Sequence, residues 1–241
     1  MKNSTTPKTS VLRADDRGMA DHGWLKARFT FSFAGYFNPD RMGFRSLRVM
    51  NNDTIEPGGG FPTHPHSDME IFTYVIDGEL AHEDSMGNGS TIKAGDLQYM
   101  SAGSGVQHSE FNPSAENRTH LYQIWLHPKQ PGGEPRYAEK PLGDSAGENA
   151  LTLLFSEDGR DGSTAIRQDA QIYFGKADAG AVLEAPASEQ TPNVWLQVIE
   201  GEVSVLGESL STGDGISAED VPEAFEIAAA EGSKFLLFRL D

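Results

Sequence analysis

One short unit occurs twice in this chain. Tyr74-Val75-Ile76-Asp77-Gly78-Glu79-Leu80 resembles Gln197-Val198-Ile199-Glu200-Gly201-Glu202-Val203, and Lys93-Ala94-Gly95-Asp96 resembles Ser211-Thr212-Gly213-Asp214. In each copy a β-branched run stops at an acid-glycine pair, which is a hairpin signal. A repeated strand–turn–strand unit constrains the fold to two copies of one β domain. The rest of the chain agrees. Arg28–Phe33, Phe44–Met50, Glu70–Ile76, Leu97–Met100, His108–Phe111 and His120–His127 read as strands, separated by glycine-rich turns. A second block follows with Leu151–Phe155, Gln171–Gly175, Val194–Ile199, Glu202–Leu206 and Phe235–Leu240. Short strands at close spacing indicate an all-β sandwich or barrel. Asn51–Pro57 carries Asn-Asn-Asp and Pro-Gly and reads as a loop.

Length and composition place limits. A chain of 241 residues holds one or two domains. The Pro/Gly-rich stretch divides it into an N-terminal domain over 1–130, a linker over 131–145 and a C-terminal domain over 146–241, with residues 1–10 as a flexible tail. There is no cysteine, so disulfides and thiolate metal sites are excluded. No apolar run is long enough to span a bilayer, and the Ser/Thr/Lys-rich start has no hydrophobic core of a secretory signal. A cytoplasmic protein without membrane association is expected. The net charge of −17 opposes direct binding of nucleic acid, since phosphate contacts rely on Lys and Arg. Arg41, Arg45 and Arg48 are read as ordinary strand-face residues. There is no phosphate-binding glycine motif.

The chemistry concentrates between Gly58 and Asn112. His64 and His66 are two apart, as are His108 and Glu110. In a strand, such residues point to the same face. If the two strands are neighbours, three imidazoles and one carboxylate converge, a set that suits a borderline divalent metal. Pro65 between the two histidines lacks an N–H and points to an edge strand or bulge at a barrel mouth. Phe61, Met69, Met100 and Trp125 are candidates for an apolar wall. His82 is expected in a turn or at a rim, outside the metal set. All seven histidines lie at or before His127, so the second copy cannot build the same ligand set.

The spacing Gly58-x5-His64-x-His66-x3-Glu70 with a glycine at Gly78 resembles the first cupin motif, and Gly95-x5-Ser101-x-Gly103-x-Gly105-x2-His108-x3-Asn112 resembles the second. Two departures stand out: seven residues separate Glu70 from Gly78 where the pattern has six, and Ser101 stands where it has Pro. Within cupins, Gly60-Phe61-Pro62-Thr63-His64-Pro65-His66-Ser67-Asp68-Met69-Glu70-Ile71 and Met100-Ser101-Ala102-Gly103-Ser104-Gly105-Val106-Gln107-His108-Ser109-Glu110 resemble the pirin family, in particular bacterial pirin-like quercetin 2,3-dioxygenases. The likeness is dense from about Asp16 to Pro128.

The resemblance implies an all-β bicupin fold, two antiparallel jelly-roll barrels of which the second is degenerate. It implies one divalent metal, Fe(II) first, with Cu, Ni, Mn, Co or Zn as alternatives. His64, His66, His108 and Glu110 are the implied ligands. The wider cupin pattern offers Glu70 in that role, and here Glu70 is assigned to orienting a ligand imidazole instead. The implied reaction is ring opening of a flavonol such as quercetin by O2 with release of carbon monoxide, Glu110 accepting the 3-hydroxyl proton. The alternative implied by other pirins is a metal-holding, redox-sensitive regulator acting through protein partners.

Overall fold

The computed structural model describes residues 7–142 and 147–241. Their strands are β1 (Lys8–Leu12), β2 (Gly18–Asp21), β3 (Leu25–Phe29), β4 (Leu47–Ile55), β5 (Gly60–His66), β6 (Glu70–Asp77), β7 (Glu79–Asp84), β8 (Gly89–Lys93), β9 (Asp96–Ser101), β10 (Val106–Phe111), β11 (Thr119–Leu126) and β12 (Arg136–Pro141). They continue with β13 (Ala150–Ser156), β14 (Thr164–Ala165), β15 (Ala170–Ala177), β16 (Val182–Ala185), β17 (Asn193–Glu200), β18 (Glu202–Val205), β19 (Glu208–Ser211), β20 (Gly215–Glu219), β21 (Phe225–Ala229) and β22 (Ser233–Leu240). No α-helix occurs among the described residues. Two compact units result: β2–β12 with Ile166–Gln168, and β1 with β13–β22.

The two units share one strand order, and differ at one edge, where β2 runs antiparallel to β3 but β14 runs parallel to β13. The first pairs a sheet ordered β12-β9-β6-β11-β4-β3-β2 with a second ordered β5-β10-β7-β8. The other has β1-β20-β17-β22-β15-β13-β14 and β16-β21-β18-β19, which is the same order strand for strand. The repeated sequence unit is the β6–β7 hairpin in one and the β17–β18 hairpin in the other. Gly78 and Gly201 close these hairpins at φ of 78° and 86°, the left-handed region that glycine enters without cost. A Cβ there would also collide with the carbonyl of Arg118 or of Gly232.

Three local expectations change. Residues 8–10, placed in a tail, belong to edge strand β1 (Lys8–Leu12), which pairs with β20. Residues 136–141, placed in a linker, form edge strand β12 against β9. Edge strands carry Lys, Ser and Pro because one side faces water, so they read as loop by composition. Asn51–Ile55, read as loop, is the second half of β4, whose Asn51 and Asp53 are buried. Those polar residues are tolerated inside a strand because they border a cavity.

Candidate metal centre

The first unit has an interrupted core. One apolar cluster gathers Leu25, Phe29, Ile55, Val75, Leu80 and Leu121; another gathers Ile71, Met100, Ala102 and Val106. Along β6 the inward positions run Ile71, Thr73, Val75, so a polar belt separates two hydrocarbon layers. A cavity of about 260 Å³ opens at this belt, lined by the three motif histidines, Glu110, Asn51, Asp53, Gln123, and the rings of Phe33, Phe61 and Trp125.

The histidines arrive on adjacent strands. β5 is the edge of its sheet, as Pro65 requires, and pairs antiparallel with β10, His108 facing His64 across the ladder. An added Cβ at Gly60 would collide with the Glu110 carbonyl, so glycine at that place lets β5 lie close to β10. The three ring centroids stand 4.4, 4.8 and 4.9 Å apart, and the candidate ligand nitrogens of His64, His66 and His108 all lie within 4.8 Å of one another. His66 packs edge-on against Trp125 at 4.9 Å.

The nitrogens are set up as lone-pair donors. His64 Nδ1 lies 2.9 Å from the Pro62 carbonyl, which can only accept, so Nδ1 carries the proton and Nε2 is free. His108 Nε2 is buried without a hydrogen-bond partner in the protein. Burial, reinforced by the neighbouring imidazoles, lowers His66 to about 4 and His108 to about 3, so both are neutral at pH 7. Neutral imidazoles with a stranded inward nitrogen are what a transition metal needs, and the donor set fits one.

Glu110 borders the same cavity at 3 % exposure. Gln123 Nε2 donates to both its oxygens at 2.9 and 2.8 Å, and the Thr73 hydroxyl donates to Oε1 at 3.2 Å. Burial raises its pKa against the pull of His82 and Gln123. Its carboxylate lies within 4.8 Å of ring nitrogens of His82 and His108, a second group beside the three-imidazole one.

Glu70 lies elsewhere. It accepts from the Tyr99 and Ser101 hydroxyls, each at 2.5 Å, and from the Arg167 backbone N–H at 3.0 Å, and these partners include no imidazole. Strand parity is the reason: Glu70 shares a face with Phe72 and Tyr74, opposite to Ile71 and Thr73. Met69 and Met100 pack in the core cluster, while Phe61 and Trp125 do line the cavity. His82 is not at a rim; it is 1 % exposed, next to His108.

Sequence reasoning missed Asn51, Asp53 and Gln123. Asn51 Oδ1, Asp53 Oδ1, Gln123 Oε1 and Trp125 Nε1 are buried without a hydrogen-bond partner in the protein and line the cavity. Burial and the charge of Glu110 push Asp53 up to about 8. A lone amide in the apolar run of β11, and polar residues at alternate positions of β4, were the available signals.

Known proteins resemble this chain over most of its length. The family model described as Pirin matches residues 12–126, and that of the quercetinase C-terminal cupin domain matches residues 153–240. A protein of Escherichia coli K12 named quercetin 2,3-dioxygenase is 46% identical over 232 residues, covering 95% of this chain and 97% of its own. A pirin-like protein of Caulobacter vibrioides is 42% identical, covering 92% and 95%. The crystal structure of the bacterial pirin YhhW from Escherichia coli in complex with nickel(II) superposes with a TM-score of 0.91 at 43% identity, over 97% of this chain and 99% of that one.

Proposed function

This chain belongs to the pirin family, with two cupin domains, and from that premise we propose that it is a metal-dependent dioxygenase that opens the ring of a flavonol such as quercetin with O2. The observation that carries the reading is the convergence of three imidazoles at the wall of a cavity lined by aromatic rings and buried hydrogen-bonding atoms. We assign His64, His66, His108 and Glu110 as the ligand set. The metal supplies Lewis acidity toward substrate oxygens and reactivity toward O2. Fe(II) is our first choice; Cu, Ni, Mn, Co and Zn suit the same donors, and the nickel complex of the related YhhW supports a site of this permissive kind.

The remaining work falls to side chains. Phe33, Phe61 and Trp125 present flat apolar surface to a planar ring system. The buried acceptor oxygens of Asn51, Asp53 and Gln123 match a ligand rich in phenolic O–H donors. Gln123 and Thr73 hold the Glu110 carboxylate toward the cavity. A carboxylate partly free of the ion and of raised pKa is placed to take the proton of the flavonol 3-hydroxyl. At about 260 Å³ the cavity is just below the range of roughly 300–1,000 Å³ typical of small-molecule sites, which favours a compact ligand. No helix among the described residues is long and apolar enough to cross a membrane, and we place the enzyme in the cytoplasm.

Oxygen uptake together with loss of flavonol absorbance, followed in protein loaded with each metal in turn, tests the reading. Turnover that disappears on chelation is expected. No turnover with Fe, Cu, Ni, Mn or Co overturns the enzymatic proposal.

A further inference from the structure

Behind His108 runs a buried polar chain that the proposed chemistry does not use. We infer that His82, held by Asp84, is a positioning residue that fixes the tautomer and ring plane of His108, so that His108 presents Nε2 to the metal. The inference rests on the ligand assignment above.

The chain can be read from its outer end. The Asp84 side chain is fully enclosed. Its Oδ1 accepts the backbone N–H groups of Met86 at 2.9 Å and Asn88 at 3.0 Å, and its Oδ2 accepts the Asn88 side-chain N–H at 2.8 Å. The turn between β7 and β8 therefore sets the carboxylate's orientation. Facing Oδ2 at 3.3 Å is His82 Nε2, which must be the N–H of that ring because a carboxylate so surrounded by donors acts as an acceptor. With the proton on Nε2, Nδ1 is left as the acceptor that the Gln98 amide N–H faces.

Two groups approach that nitrogen. Gln98 Nε2 lies 3.2 Å from it and His108 Nδ1 lies 3.4 Å from it. The Tyr137 hydroxyl lies 3.3 Å from Gln98 Oε1 and 2.7 Å from Glu139 Oε1, the nearer acceptor of its one proton. The one lone pair of His82 Nδ1 is shared between the Gln98 N–H and a proton on His108 Nδ1, since two bare ring nitrogens at 3.4 Å would repel, so His108 is assigned the Nδ1–H tautomer. Its Nε2 is then the free electron pair, and that is the atom without a partner in the protein. Packing holds the ring planes: His82 stacks on Tyr137 at 4.9 Å and 24°, and its centroid is 5.2 Å from that of His108. Metal-bound histidines generally need such a partner on the far nitrogen. Glu70 was expected to provide it, and the Asp84–His82 pair does so from the other sheet.

The contrast with the second unit supports the assignment. At the places equivalent by strand register to His82, Gln98 and His108, that unit has Val205, Ile216 and Phe225. These three polar members are replaced by hydrocarbon where the imidazole triad is missing.

Three variants and two readouts test this. His82→Phe keeps the stacked ring and removes both nitrogens. His82→Asn puts an amide oxygen where Nδ1 stood and so keeps the acceptor. Affinity of the metal-free full chain for Ni(II), measured by chelator competition, is expected to fall about 10- to 100-fold in His82→Phe and to stay within about threefold of wild type in His82→Asn. Pulsed EPR of the Cu(II)-loaded proteins reads the far nitrogen of each bound imidazole. Three coupled imidazoles are expected in every protein, with one far-nitrogen coupling altered in His82→Phe and restored in His82→Asn. Should His82→Phe fail to fold, His82→Gln replaces it, since its amide reaches toward Asp84 and leaves the Nδ1 place empty. Unchanged affinity and coupling in the nitrogen-free variant overturn the inference. So does loss of one coupled imidazole, which would make His82 itself a ligand. A wild-type chain that takes up no Ni(II) overturns the site assignment and this inference together, whereas absent flavonol turnover alone leaves both readouts intact.

Discussion

The two units are one framework with opposite interiors. Counting from Gly78 and Gly201 and following the strand registers, Thr73 corresponds to Leu196, Gln123 to Leu237, Gln98 to Ile216, His82 to Val205 and Glu110 to Ile227. Asn51 corresponds to Tyr173 and Asp53 to Gly175, over which the ring of Phe235 lies. In the second unit Val194, Leu196 and Val198 join Leu183, Val205, Ile216, Ile227 and Leu237 in one continuous cluster. Each such side chain contributes about 1.5–3 kcal/mol by leaving water. The first unit gives up that contribution at the same positions and leaves buried polar atoms that cost about 1–3 kcal/mol each when unpaired. A topology that folds around hydrocarbon therefore has no structural need of the polar belt, and the belt marks the site.

The strongest way to break this contrast is one alanine substitution in the interior of each unit. His108→Ala is expected to lower metal affinity by more than the about 100-fold seen for outer partners, with metal content after dialysis near zero. Ile227→Ala is expected to leave metal content unchanged and to cost about 2–5 kcal/mol in urea unfolding. Metal loss in the second variant would mean that the units do not divide the roles as described.

Asp53 sharpens the contrast through pH. Burial first and Glu110 second raise it to about 8, above an unfolded value of about 3.9. The folded metal-free chain therefore holds a proton that the unfolded chain releases. That stability is full below pH of about 4 and drains away as pH rises toward 8, at about 1.4 kcal/mol per pH unit. Asp53→Asn removes this slope, so its unfolding free energy relative to wild type should rise between pH 5 and 7 in chelated protein. Parallel pH profiles for the two proteins would contradict an uncharged Asp53. Gly175 at the equivalent place carries no charge and needs no such test.

Exchanging polar and apolar residues gives smaller effects. Leu237→Gln buries an amide in a hydrocarbon layer and should cost about 1–3 kcal/mol. Gln123→Leu should cost less in stability but lower flavonol turnover at least about tenfold, because Glu110 loses the amide that holds both its oxygens. Unaltered turnover in Gln123→Leu would detach Glu110 from the chemistry.

How much of this was legible depended on what kind of signal each residue carried. The duplicated barrel showed in the Asp77-Gly78 and Glu200-Gly201 turns, because hairpin chemistry is local. The three imidazoles showed because i, i+2 spacing in a strand fixes a common face. Asn51 and Asp53 were hidden, since polar residues around a cavity have the composition of a loop. His82 was hidden because its partners, Gln98 and His108, are brought together by pairing between β7 and β10 and by packing across two sheets, neither of which is local in sequence.

Glu70 gives the smallest expected effect on metal and the sharpest check on face assignment. A position in a motif was read as a position at the site, but β6 turns Glu70 to the side of Tyr99, Ser101 and Arg167. Replacing the carboxylate by an amide keeps one acceptor oxygen and turns an N–H toward a donor. Glu70→Gln should therefore cost about 1–3 kcal/mol in stability through weakened hydrogen bonds to a charged acceptor, and leave Ni(II) affinity within about twofold, well short of the 10- to 100-fold loss that an outer partner of a ligand shows. If its affinity fell as far as that of His82→Phe, the two faces of β6 would not be as separate as alternation along a strand requires, and the polar belt at Thr73 would have to extend through the sheet.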